Sequence, residues 1–462
     1  MDGATAARLE ALRNAATEAH RAGRREEARK LYAGYLAQMP RDAGMWSNLG
    51  ALLRSEGFHD LARIAQERAY ALSPKAPGVI NNLANILNDI GEHARSLALR
   101  EEALALKPDD ANHKAMKGKS LRALGRYAEG IAFLRRATAE HPEDAELRIQ
   151  LALTQLAAGQ YAEGFRNYGA RWQTGELTPR RMPMPKWDGG PLDGKRILVL
   201  PEQGFGDAVT FARFIPVLRH ANPARVLVLC ERPLARLMAD VEGADWTGAD
   251  MPAPAAFDVW TDMMDLPPLH FDRSETIPPP TRLTVPEDSR ARARAIVAPH
   301  RDRFRVGVVW CGSLTYRANA FRSFSHRLFH RLLDIPDVQL FSLYKGPELA
   351  AFEADGSSAL IIDAASTDRD FADCAATMEE MDLVITSCTA TAHIAGSLGR
   401  PVWTLLHWDA FWLWQLDRHT SPWYPSMRLF RQTAPRDWDG VFARVRARLE
   451  TRVAQWRKER AA

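Results

Sequence analysis

Pro40, Pro74, Pro108 and Pro142 stand 34 residues apart, and Gly23, Gly57, Gly91, Gly125 and Gly159 keep the same period. Proline stops a helix and glycine supplies a tight left-handed turn, so two such markers per period divide each unit into two helices. Between them run Ala- and Leu-rich stretches of helical spacing. Gly50, Ala84, Gly118 and Ala152 share one position of the unit, and Ala69, Ala103 and Ala137 another, where only small side chains let helix backbones meet. A hairpin of this kind cannot bury its apolar stripe alone. Roughly four and a half units, from about residue 7 to 172, are therefore expected to stack into a curved solenoid with a concave face.

The unit resembles the tetratricopeptide repeat, most fully through Trp46, Leu49, Gly50, Ala69 and Pro74. Its groove is expected to hold a protein or extended peptide, with a spacer or dimerisation arm as the other reading. Asn48, Asn81, Asn82 and His113 lie in first helices and are candidates for its inner surface.

After Tyr161–Trp172 the period stops, and TGELTPRRMPMPKWDGGPLDG forms a Pro/Gly-rich linker. Short apolar runs then alternate with helical segments: KRILVL, ARVLVLC and AFDVW first, then RVGVVWCG, VQLFSLYKG, ALIIDA, DLVITSC and PVWTLLH. This alternation predicts two parallel α/β domains with a ligand cleft at the carboxyl ends of their strands. The expected division is 1–172 repeats, 173–185 linker, 186–295 first α/β domain, and 296–462 second α/β domain with a closing helix from about Asp437.

Charge narrows the function. The chain carries 61 Lys+Arg against 57 Asp+Glu, a formal net charge of +4 with both signs interspersed, which argues against nucleic-acid binding through the phosphate backbone. Cys230, Cys311, Cys374 and Cys388 contain no CxxC pair, so a disulfide scaffold or thiolate metal site is not expected. No apolar leader or spanning segment is seen, and a cytoplasmic protein is expected.

Chemistry concentrates at strand ends. Gly204, Gly206 and Asp207 occupy the loop after KRILVL; the glycines allow close backbone approach at a helix start, while Asp207 either caps that helix or accepts a substrate proton. Thr389, Ala390, Thr391 and His393 form a second helix-start turn suited to an anion, next to a Cys388 read as inert. Gly312, Ser313, Arg317, Arg322, Lys345 and Gly346 follow other strands and add positive charge without a metal cluster. Most aromatic residues of PVWTLLHWDAFWLWQLDRHTSPWYPSMRLF are assigned to packing, with Trp408, Asp409 and Trp412 as pocket-edge candidates.

PEQGFGDAVTFARFIP, GVVWCGS, FSLYKG, SCTATAHIAGSLGRPVWTLL and SPWYPSMRLFRQ resemble the transferase part of bacterial tetratricopeptide-repeat glycosyltransferases related to the heptosyltransferases, nearest to flagellin glycosyltransferases. The resemblance implies an all-α tetratricopeptide solenoid followed by a GT-B fold of two Rossmann-like domains. It further implies a metal-independent protein O-glycosyltransferase moving a sugar, such as a nonulosonic acid, from a nucleotide sugar (CMP-linked donors included) to Ser or Thr of a protein such as flagellin. Asp207 would then be the general base, with Arg322, Lys345 and His393 at the donor phosphates. Cys388 departs from the Asp common in relatives. That departure keeps open an interaction scaffold whose transferase-like lobes do not catalyse, or a nucleotide-sugar sensor.

Overall fold

The computed structural model describes residues 2–314, 316, 319–416 and 418–461. Its first compact unit runs to Ala158 and includes Gln173–Glu176. It is built from helices α1 (Gly3–Arg21), α2 (Arg25–Gln38), α3 (Ala43–Ser55), α4 (His59–Leu72), α5 (Pro77–Asp89), α6 (His93–Leu106), α7 (Ala111–Ala123), α8 (Tyr127–Glu140) and α9 (Ala145–Ala157). The periodic residues set the helix ends. Gly57 and Gly91 adopt φ of +84° and +87°, a region closed to most side chains. Asp42, Asp110 and Asp144, each two residues past a periodic proline, accept the N–H of Met45, His113 and Leu147 at 3.0, 2.9 and 2.8 Å. Inside the stack, a Cβ on Gly118 would lie 2.5 Å from Leu134, so the small residue is a packing requirement. Ile80, Leu83, Leu87 and Ala103 are part of a continuous apolar core between neighbouring hairpins.

The second unit comprises Gly159–Trp172 and the chain from Leu177 onward. It opens with helix α10 (Tyr161–Tyr168), then β1 (Arg196–Leu200), α11 (Phe205–Phe211), β2 (Arg225–Leu229), β3 (Trp246–Gly248), β4 (Val259–Asp262), α12 (Pro267–Phe271) and α13 (Glu287–Val297). There follow β5 (Phe304–Val309), α14 (Asn319–Arg322), β6 (Val338–Ser342), α15 (Leu349–Ala354), β7 (Ile362–Asp363), α16 (Phe371–Glu379), β8 (Leu383–Ser387), α17 (Ala390–Ser397), β9 (Val402–Leu406), β10 (Met427–Arg431) and α18 (Trp438–Ala461). Two wholly parallel sheets result, ordered β3-β2-β1-β4 and β10-β9-β8-β5-β6-β7. Strand order reverses beside β1 and beside β5, and at such switch points the loops after neighbouring strands diverge and leave a crevice.

Several expected helices are shorter than their patterns suggest. After α11 the chain tightens into a 3-10 turn over Ala212–Ala221, where Pro216 removes an amide donor. RPLARLMAD yields only Arg232–Leu234, and FSHRLFHRLLDI is 3-10 over His326–Leu332. Helix α10 is held to the α/β layers by its aromatic face: Phe165 stacks on Phe271 at 5.7 Å and meets Trp412 edge-on at 5.7 Å. Helix α18 packs Phe442 on Phe324 and Phe329, against elements of the six-stranded sheet.

Candidate functional site

The two glycine- and threonine-bearing turns meet. Gly206, in the first turn of α11, comes so close to α17 that a Cβ would lie 2.8 Å from His393 Cδ2 and 3.4 Å from Ala390 Cα. One turn later Thr210 Oγ1 donates to the Gly206 carbonyl at 2.7 Å. That uses its single proton, so the same oxygen accepts from His393 Nδ1 at 2.7 Å. The Tyr424 hydroxyl closes the group at 3.1 Å from Thr210 and 3.2 Å from His393. Burial, reinforced by the Arg213 and Arg322 guanidiniums, pushes His393 down to about 3, so its ring is neutral at physiological pH. The ring also stacks on Trp414 at 5.3 Å.

Asp207 takes the capping role: its Oδ2 accepts the Gly204 N–H at 3.1 Å. Burial raises its carboxyl to about 6, with the Glu202 charge adding to the rise and Arg322 opposing it. In the turn before α17 the threonine hydroxyls pair with one another, while the buried Ser387 hydroxyl has no hydrogen-bond partner. Thr391 Oγ1 lies 2.7 Å from both Thr386 Oγ1 and Thr389 Oγ1. Arg322 gives Nη1 to the Cys388 carbonyl at 2.9 Å and stacks over Tyr316. Gly312 makes room for it, since a Cβ there would lie 2.7 Å from both Arg322 Nη2 and Thr389 Cγ2. The Cys388 thiol is pushed up by burial and accepts from Trp414 Nε1 at 3.0 Å, which leaves no thiolate.

The remaining candidates separate. Lys345 donates to the Asp368 carbonyl, and Gly346 lies against the Tyr344 ring. Ser313 and Asp409 are exposed. Trp408 meets Phe321 edge-on at 5.7 Å. Trp412 is buried in the aromatic cluster with Phe165 and Trp423, so it is core and no pocket edge. Arg317 lies outside the described residues. Among the described residues no group of three or more His, Cys, Asp or Glu side chains is placed to hold a metal.

Sequence reasoning missed Arg213. It is buried, donates to the Thr210 and Trp423 carbonyls at 2.9 Å each, and lies over the Trp423 and Tyr424 rings. No local signal marks it, because the aromatic partners are more than 200 residues away in the chain. In the repeats, Asn81 and Asn85 receive Arg100 from α6, Asn82 donates to Ser47 at 2.9 Å, and His113 is buried. Three of the expected groove residues thus serve contacts within the stack.

Tetratricopeptide-repeat models match twice, at residues 13–77 and 121–164. Protein FlbA of Caulobacter vibrioides is 30% identical over 288 residues, covering 57% of this chain and 48% of that protein. The chain thus spans about half the length of the curated relative it matches. Among solved structures, MamA of Desulfovibrio magneticus (19% identity, TM-score 0.33) covers 37% of this chain and 97% of its own. A thermophilic tetratricopeptide-repeat protein of Thermus thermophilus (18% identity, TM-score 0.33) covers 37% and 93%.

These findings correct the glycosyltransferase expectation. The named similarities are to Protein FlbA and to tetratricopeptide repeats, none of them named as a glycosyltransferase, so the implied enzyme, its nucleotide-sugar donor and transfer to Ser or Thr are set aside. The structure supplies a physical counterpart. The threonines of the turn expected to meet a diphosphate spend their hydroxyls on each other, and the histidine expected to contact it is neutral and bonded within the fold. What stands is a helical repeat array followed by two parallel-sheet layers, with no helix among the described residues long and apolar enough to cross a membrane.

Proposed function

We propose that the chain is a protein-interaction scaffold, in which the repeats hold a partner and the α/β layers form a non-catalytic body. The observation that carries this reading is the unbroken stack from α1 to α9, a compact unit in its own right. Arrays of stacked hairpins present extended surfaces of the kind that recognise proteins. The similarity to Protein FlbA extends over more of the chain than the repeats occupy, in keeping with one interaction module of two parts. Flagellin is the first named partner to test. Four free buried cysteines fit a reducing, cytoplasmic setting, which belongs to the same proposal.

The test is site-specific photocrosslinking in the full chain. A photoreactive residue at Asn48 or Lys119, on first helices, is expected to trap the partner, and one at exposed Ala132 on α8 is not. The trapped protein, identified by mass and then purified, is expected to bind the full chain, and Asp207→Asn is expected to leave its affinity unchanged. Equal trapping from all three positions, or loss of affinity in Asp207→Asn, overturns the reading.

A further inference from the structure

Four of the ten exposed large apolar side chains among the described residues lie on one helix or at its head. Phe58 is 44% exposed, Leu61 55%, Ile64 57% and Leu72 39%. The last three recur at i, i+3 and i+11 along α4, so they form a single outward stripe, with Phe58 at its head as the N-cap residue. The adjoining face of α4, carrying Ala62, Ala65 and Ala69, is buried in the stack, whereas the stripe stays exposed.

The 34-residue period makes the head of the stripe, Phe58 and Leu61, an exception among the repeats, whereas the Leu72 position carries an exposed leucine, Leu106, in the next repeat as well. At the position of Phe58 the other repeats carry Arg24, Glu92 and Arg126; at that of Leu61 they carry Glu27, Arg95 and Glu129. Charged residues suit an outward position that meets water, and only the second repeat replaces them with large apolar groups.

The flanks of the stripe differ in charge. On one side Arg29 of α2 reaches across to Glu56 at 3.4 Å and lies over the Phe58 ring. On the other, Arg95 of α6 pairs with Glu67, and Tyr70 donates to Glu102 at 3.0 Å. With its N-cap, α2 carries Arg24, Arg25, Arg29 and Lys30 against Glu26 and Glu27 and is net basic. Helix α6 with its N-cap shows Glu92, Glu101 and Glu102 against Arg95 and is net acidic, its remaining Arg100 being buried.

We propose that this face is a self-association surface, and that its occupant is the same face of a second copy of the chain. A two-fold axis running along α4 lays stripe on stripe and brings each basic α2 over the acidic α6 of the other copy, so the charge match occurs twice. Arg68, which lies along the stripe, is drawn aside by stacking on Trp46 at 4.7 Å. The patch is small, so the dimer is at the weak end of specific interfaces, with a dissociation constant on the order of tens of micromolar. The inference goes beyond the scaffold reading and does not depend on it: the stripe lies on a second helix, whereas partner trapping is tested on first helices.

Sedimentation of the full chain from about 1 to 100 µM is expected to show mass rising toward twice the 51.7 kDa of one chain. Leu61→Glu with Ile64→Lys, the residue types that α2 carries at those positions, is expected to weaken association at least about tenfold. An unchanged Tm and circular dichroism spectrum will show that these exposed sites leave the fold intact. Reversing α2 (Arg25→Glu, Lys30→Glu) or α6 (Glu92→Lys, Glu101→Lys) is expected to weaken association to a similar degree, about tenfold, and mixing the two variants to restore it. A monomer at every concentration, full association in the Leu61/Ile64 variant, or no recovery on mixing overturns the proposal. Its failure leaves the crosslinking result of the scaffold reading untouched.

Discussion

Thr210 Oγ1 stands 2.7 Å from His393 Nδ1, joining the helix after β1 to the helix after β8 across 183 residues of chain. This hydrogen bond, with Tyr424 beside it, ties the four-stranded layer to the six-stranded one. A polar group shared between two packed layers is costly to leave unpaired, so its removal should loosen the seam.

Thr210→Val keeps the volume and deletes the hydroxyl. His393 Nδ1 is left with Tyr424 alone, at 3.2 Å. A loss of about 1–2 kcal/mol is expected in equilibrium urea unfolding of the full chain, with Thr210→Ser close to wild type.

His393 should make stability depend on pH. Its folded value of about 3 lies below the ordinary 6.5, so the unfolded chain takes up the proton first as pH falls. Stability is then lost from about pH 6.5 downward, at up to roughly 1.4 kcal/mol per pH unit. Asp207 acts in the opposite sense: raised to about 6, it is protonated first in the folded state and adds stability as pH drops toward its ordinary value. Unfolding curves at several pH values between 7 and about 4 for wild type and His393→Gln are expected to converge as pH falls, because the variant lacks the acid-linked loss.

Gly206→Ala should fail on space. The added Cβ meets the His393 ring at 2.8 Å and the Ala390 backbone at 3.4 Å, and a ring stacked on Trp414 has little room to retreat. A cost of about 1–3 kcal/mol is expected by urea titration. Gly169→Ala, with nothing within 4 Å, is the control in the same unit.

Arg171 is buried with both Glu202 oxygens at 2.7 Å and Asp265 at 2.7 Å. Arg171→Met strands the buried Glu202 carboxylate and should cost about 3–5 kcal/mol. Arg171→Met combined with Glu202→Met should recover most of that loss, because the buried carboxylate leaves with its partner. The pair of chemical-denaturation curves checks both statements.

Some of the site was legible in sequence and some was not, for reasons visible in single residues. Gly204 and Asp207 could be read locally because a helix cap is completed within four residues, and the structure has that cap. The helix-start position of His393 suits a group near an anion. Its actual partner, Thr210, lies on another element and has no sequence signature. Trp412 carries the same ambiguity: a tryptophan at a pocket rim and one in an aromatic core look alike until Phe165 and Trp423 are placed around it. The outward stripe on α4 was detectable by aligning the chain with itself at its own period, where Phe58 and Leu61 fall on charged residues.

The sequence by itself determined the repeat. Periodic proline, glycine and small residues act within one or two turns, so they specify helix ends and hairpin contacts without reference to distant chain. It likewise determined that apolar runs alternate with helices, which is enough to require parallel strands. Only the tertiary structure decided which strand ends face one another and whether their hydroxyls and rings remain open or bond internally. Those outcomes depend on contacts between segments about 200 residues apart, where burial sets the protonation of His393 and the bonding of Thr210, and no local pattern encodes either.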